Sequence, residues 1–143
     1  MSDTLLLHKE VPLAWIVFNK PERRNAVDLD MWQTLPKLVA EVAEDDTLRV
    51  LLLRGAGEEA FISGADISQF GQVRSGPDTS HKYNRAVDDA LKSLSALEKP
   101  VISMIHGFCM GGGCSLAVMC DLRLCADDAR FGIPAARLGI AYP

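Results

Sequence analysis

Lys99 to Pro134 reads KPVISMIHGFCMGGGCSLAVMCDLRLCADDARFGIP, and this stretch decides the fold. Val101–Ile105 is a short continuous apolar run, which reads as a buried strand. Gly111-Gly112-Gly113 then predicts a tight turn, and the apolar residues after it predict a buried helix. The same stretch also mimics a membrane span. Between residues 101 and 120 the ionisable side chain of note is His106, and Gly107-x-x-x-Gly111 imitates a helix-packing motif. A span needs about 20 apolar residues in one helix. Here Pro100 stands directly before the run, and each mid-helix glycine costs roughly 1 kcal/mol. Strand, glycine turn and helix is the better reading, and no membrane partner is expected.

The remaining elements are found by working outward. Leu5–Leu7 and Leu13–Phe18, separated by Pro12, read as a hairpin. Asp28 is a candidate helix N-cap, followed by Trp32, Leu35, Val39 and Val42 at helical spacing. Pro36 lies inside that pattern, so a kink or a later start is expected. Val50–Leu53 is a second buried strand, and Ala56–Gly64 reads as a loop. Ser75-Gly76-Pro77 is another loop. Tyr83, Val87, Ala90, Leu91, Leu94 and Leu97 mark an amphipathic helix that stops at Glu98-Lys99-Pro100. Leu122–Cys125 and Phe131–Ile133 are further candidate strands, and Leu138–Pro143 reads as loop. Alternating helices and buried strands indicate an α/β domain. No linker divides the 143 residues, so one domain over 1–143 is expected, without a second.

Composition excludes some functions. Hydrophobic residues make up 48% and charged residues 24%, as in a globular protein. The net charge is −4 with no basic block, which argues against nucleic acid. MSDTLLLHKEV lacks a secretory pattern. Cys109, Cys114, Cys120 and Cys125 form no C-x-x-C pair and read as buried, reduced core residues, which fits a cytoplasmic protein with no metal.

Two short segments have the makings of a site. The free N–H groups of a glycine turn opening a helix favour negative charge, and glycine lets a ligand approach the backbone. Neither the dinucleotide pattern G-x-G-x-x-G nor a phosphate loop with Lys-Ser or Lys-Thr is present. Taken alone, Gly111–Gly113 fits a ligand-free turn equally well. Upstream, Phe61-Ile62-Ser63-Gly64-Ala65-Asp66 offers another exposed backbone N–H at its small residues, or an ordinary loop ending in an Asp cap.

Together these segments make the chain recognisable. Asn19-Lys-Pro-Glu-Arg-Arg-Asn25-Ala26, Phe61-x-x-Gly-Ala-Asp66-Ile67, His106-Gly-Phe-Cys-Met-Gly-Gly-Gly113, Cys120-Asp121 and Phe131-Gly132 occur in order. In these motifs the chain resembles the enoyl-CoA hydratase/isomerase, or crotonase, family over nearly its whole length. The resemblance implies a spiral of ββα units and an acyl-CoA thioester as substrate, with no permanently bound cofactor. It implies an oxyanion hole formed by the N–H groups of Ala65 and Gly112, with Gly64 and Gly111 beside them. Removing one such donor costs about 3–4 kcal/mol. Arg24, Ala26, Ala65, Asp66, Ile67 and Ser68 would border the CoA nucleotide, with Arg23 and Arg24 near phosphates. Ser68 stands where hydratases often carry a lysine. A homotrimer or hexamer is expected if the chain is complete, with a role in fatty acid metabolism.

The departures matter as much. Hydratases of the family use two glutamates, and the matching positions here are Ser115 and Ala135. Neither does a carboxylate's job, since alanine does not titrate and an unactivated hydroxyl is a poor acid or base. Isomerase-type chemistry, with one base moving one proton, is easier to defend than hydration. Asp121, Asp127, Asp128, Asp66 and His106 read as structural. Arg137 could hold an anionic acyl group. Family members usually continue well beyond the equivalent of Pro143, and in some isomerases the base lies there. The alternatives are an acyl-CoA decarboxylase or hydrolase of the same fold, and a non-catalytic acyl-CoA-binding protein.

Overall fold

The computed structural model of the chain describes residues 3–69, 76–139 and 141. The N-terminal apolar runs pair antiparallel as expected. β1 (Leu5–Glu10) lies against β2 (Leu13–Phe18), with Leu5 opposite Phe18. The other edge of β2 pairs in parallel with β3 (Val50–Gly55). Parallel neighbours need a crossover, which α1 (Leu29–Glu44) supplies. Asp28 caps α1 as its sequence position predicts, its side chain accepting the Met31 N–H at 2.9 Å. The helix runs through Pro36 and does not start later.

From β3 onward the chain repeats one move. A strand joins the large sheet, a short strand turns into a second sheet, and a helix carries the chain back. β3 leads to β4 (Ala60–Ile62) and α2 (Pro77–Ala96). β5 (Val101–Ile105) leads to β6 (Phe108–Met110) and α3 (Gly112–Met119). β7 (Leu122–Cys125) leads to β8 (Arg130–Gly132) and a 3-10 turn, Pro134–Leu138. The large sheet runs β1-β2-β3-β5-β7 and the small one β4-β6-β8. Apart from the β1–β2 pair, the strands of the described residues pair in parallel. This is the expected succession of ββα units.

Several sequence expectations need correction. Ala56–Gly64 is not all loop, because β4 lies within it, and β6 intervenes before the glycines. Strands of three residues are too short to show a period. Their neighbours define them, Ala60 pairing with Phe108 and Cys109 with Phe131. The strand expected at Phe131–Ile133 is shifted back to Arg130–Gly132. β5 is not buried on both faces: Val101, Ser103 and Ile105 are buried, while Ile102 and Met104 are half-covered. Pro77 belongs to α2 and not to a loop, while Ser75 lies outside the described residues. Leu138 ends the last turn, and Ile140, Tyr142 and Pro143 also lie outside the described residues.

One apolar cluster joins α1, α2 and α3 to the strands. Trp32, Leu35, Val39 and Val42 of α1 meet Tyr83, Ala90 and Leu94 of α2, with Leu51, Leu53, Val101 and Leu116. Phe18 of the large sheet and Phe61 of the small one pack edge to face at 6.3 Å, fixing the sheets against each other. Among the described residues no helix is long and apolar enough to cross a membrane. The four cysteines are free, but only Cys109 and Cys120 are buried; Cys114 is half-buried and Cys125 exposed. Burial, reinforced by Cys114, pushes the Cys109 thiol up to about 12, and burial pushes Cys120 up to about 11.

Candidate active site

β4 ends at Ile62, and the next residues form the first half of the site. Gly64 has φ +119, a conformation open to glycine. Its carbonyl accepts the Val27 N–H at 2.8 Å, and the Asp66 N–H donates to the Val27 carbonyl at 3.0 Å. These bonds make a single parallel bridge between Val27 and Ala65. In such a bridge the flanking residues face the partner, so the N–H of Ala65 itself is directed to the opposite side.

The second half follows β6. Gly111 is the N-cap of α3 at φ +51, and Gly112 and Gly113 form the first helical turn. The first N–H groups of a helix have no acceptor within it and sit at its positive end. Gly113 holds this end against β4. A Cβ there would stand 2.7 Å from the Ile62 carbonyl oxygen, so only glycine allows the approach. The same contact draws the two halves together. A Cβ on Gly111 would lie 3.8 Å from Cα of Gly64, and one on Gly64 would lie 3.6 Å from the Met110 oxygen. Segments 46 residues apart in sequence thus lie close enough that a single added methyl group would bring them into van der Waals contact.

Asp66, next to Ala65, is buried and paired. Lys20 Nζ lies 2.8 Å from Asp66 Oδ2 and 3.1 Å from Asp28 Oδ2. Asp66 Oδ1 also accepts the Ser68 backbone N–H at 3.1 Å and its hydroxyl at 2.6 Å. Burial would raise the Asp66 carboxyl, but Lys20 and Ser68 outweigh it and hold it down at about 2. Burial would likewise lower Lys20, and its two carboxylate partners outweigh that and raise it. Asp66 therefore braces the loop as an ion, the role expected of it, and Ser68 is its partner.

A family model described as enoyl-CoA hydratase/isomerase matches residues 8–143. The chain belongs to this family. It is 35% identical over 138 residues to the short-chain-enoyl-CoA hydratase of Clostridium acetobutylicum, covering 96% of this chain and 52% of that protein. It is 36% identical over 140 residues to the hydroxycinnamoyl-CoA hydratase-lyase of Pseudomonas fluorescens, covering 96% and 50%. A crystal structure of an enoyl-CoA hydratase/isomerase family protein from Hyphomonas neptunium superposes with a TM-score of 0.94 at 42% identity, over 98% of this chain and 53% of that one. The chain spans about half the length of the curated relatives it matches.

Set in this family, the other candidate positions fall as follows. Ser115 is on α3, its N–H donating to the Gly111 carbonyl at 3.2 Å. Ala135 is half-buried in the final 3-10 turn. That turn follows Gly132, whose carbonyl accepts the Gly111 N–H at 2.9 Å, so its strand reaches the glycine turn. Arg24 pairs with Glu59 at 2.9 Å and stacks over Phe108 at 5.1 Å. Arg23 and Ile67 are exposed, and Ala26 is buried. Arg137 is exposed on the last turn. Asp121 holds the Val101 N–H at 2.8 Å and Asp128 the Gly107 N–H at 3.1 Å, both structural as read, with Asp127 beside Asp128 in the turn. The His106 carbonyl accepts the Phe61 N–H, and among the described residues its buried Nε2 has no partner, so the histidine read as structural is not fully hydrogen-bonded. Among the described residues no cluster suits a metal ion.

Two features of the site escaped the sequence. Lys20 lies in a quoted motif, yet its partners are 8 and 46 residues away and nothing local indicates them. Trp32 reads as a core residue, yet its ring lies against Gly112, where a Cβ would meet Cζ2 at 3.1 Å. Its indole N–H donates to the Tyr83 hydroxyl at 3.1 Å.

Proposed function

We propose that this protein binds an acyl-CoA thioester and stabilises the enolate formed from it through the N–H groups of Ala65 and Gly112. The observation that supports the reading is the closeness of Gly64 to Met110–Gly111, with room for no more than a methyl group between the two segments. Donors fixed by the fold need no reorganisation as negative charge develops on the thioester oxygen. Arg24–Ala26 and Ala65–Ser68 border the CoA nucleotide in this reading. For Arg24 to meet a phosphate it must leave Glu59, a small cost for an exposed pair. CoA enters as part of the substrate, and no cofactor is held permanently.

Within the family's reactions the site favours proton transfer at the α-carbon, as in an isomerase. Hydration needs a group that activates water, and Ser115 and Ala135 bring no carboxylate. Asp66 is held as an ion by Lys20 and Ser68 and is not poised to accept a proton. The same substitutions favour a second reading, decarboxylation, in which loss of CO₂ creates the enolate and no strong base is required.

The test is exchange of α-protons of a saturated acyl-CoA into deuterated water. The wild type should exchange them, and Ala65→Pro, which removes the donor N–H, should slow exchange by about 10²–10³-fold. Turnover of a malonyl-type thioester without such exchange supports decarboxylation. Tight binding with neither reaction overturns the enzymatic reading and leaves a binding protein.

A further inference from the structure

Both candidate donor segments are linked to one helix, one through Lys20 and the other through Trp32. Asp28 caps α1 with one carboxylate oxygen and receives Lys20 with the other. Lys20 carries that link on to Asp66, the residue after Ala65. One turn along α1, the Trp32 ring lies against Gly112. The helix therefore spans the site from one donor to the other. The connection at Gly112 is apolar packing backed by Tyr83, and the connection at Ala65 is ionic.

The Ala65 segment is attached by backbone before and around the candidate donor, the Ser63 N–H donating to the Arg24 carbonyl at 3.0 Å and Gly64 and Asp66 bridging to Val27. Beyond Ala65, among the described residues, Asp66 adds a side-chain link to Lys20 and Ser68. Lys20 is itself firmly placed. Its N–H donates to Asn25 Oδ1 at 3.0 Å, and its carbonyl accepts from Arg23 and Asn25 at 2.9 Å each. Its ammonium side chain is 12% exposed, so solvent screens the two ion pairs far less than pairs at the surface. A short, desolvated link from a fixed lysine gives Asp66, and the N–H one residue before it, a defined place.

We infer that Lys20 is a positioning residue, which sets the Ala65 N–H against the Gly112 N–H by tying Asp66 to the Asp28 cap of α1. This rests on the enolate-stabilising reading above. A donor displaced by a fraction of an ångström still lets substrate bind but polarises its carbonyl less, so the loss falls on the chemical step and spares affinity.

The experiment uses butanoyl-CoA carrying ¹³C at the thioester carbonyl, bound to the full protein. The carbonyl stretching band reports hydrogen bonding by the donors, and α-proton exchange reports enolate formation. The wild type should shift the band to lower frequency. Lys20→Met should return it toward the free-thioester position and slow exchange on the order of 10-fold or more, with affinity for butanoyl-CoA changed less than about 3-fold. Lys20→Arg, which can still span both carboxylates, should restore band and rate. Asp66→Asn keeps acceptors for Ser68 and should reproduce the Lys20→Met effect, which covers the case in which Lys20→Met fails to fold. A shifted wild type with an equally shifted band in the folded variant overturns the positioning role alone. An unshifted wild-type band overturns the oxyanion reading and the positioning role with it.

Discussion

Asp66 carries a stability effect whose sign follows from its surroundings. Its carboxyl is held at about 2 against an ordinary value of 3.8. A depressed native value means that the stabilisation is complete above about pH 4 and is lost as pH falls toward 2. The difference corresponds to about 2 kcal/mol. Denaturant unfolding of wild type and Asp66→Asn should therefore differ by that amount at pH 7 and converge near pH 2. A gap that stays constant with pH would show that the charge is not responsible. Sequence alone indicated that Asp66 braces a loop, because Asp before a short turn is a common cap. It did not indicate Lys20, since an ion pair across 46 residues leaves no trace in local pattern.

At the scale of elements, long segments were legible and short ones were not. α1 and α2 follow from apolar residues at helical spacing, and β3 and β5 from compact apolar runs. β4 and β6, each of three residues, are created by pairing across the small sheet. That sheet is what brings α3 so close that Gly113 must lack a Cβ. Gly113→Ala should lose about 1–3 kcal/mol through overpacking against Ile62, despite alanine's better helix propensity. Gly76, which has nothing within 4 Å of a built Cβ, is the control, and Gly76→Ala should change stability by less than about 1 kcal/mol. Equal effects at the two positions, read from thermal unfolding, would contradict the packing argument.

At the scale of the whole molecule, β7 and β8 lie at the edges of their sheets and leave Leu122, Leu124, Phe131 and Ile133 exposed. Apolar edges of this kind are ordinarily covered in the working protein. We expect the complete protein to sediment as a homotrimer or hexamer; sedimentation of the complete protein as a monomer alone at micromolar concentration would contradict this. The sequence by itself determined the family, the α/β class and the two small-residue segments of the candidate site, because these depend on residue type and near spacing. It also has Ser115 and Ala135 where the family resemblance implies glutamates. Only the tertiary structure decided that the two segments lie side by side, that Trp32 lies beneath one, and that Lys20 ties the other to a helix cap. Those facts depend on which distant residues the sheets bring within bonding distance, and short-range pattern carries no record of that.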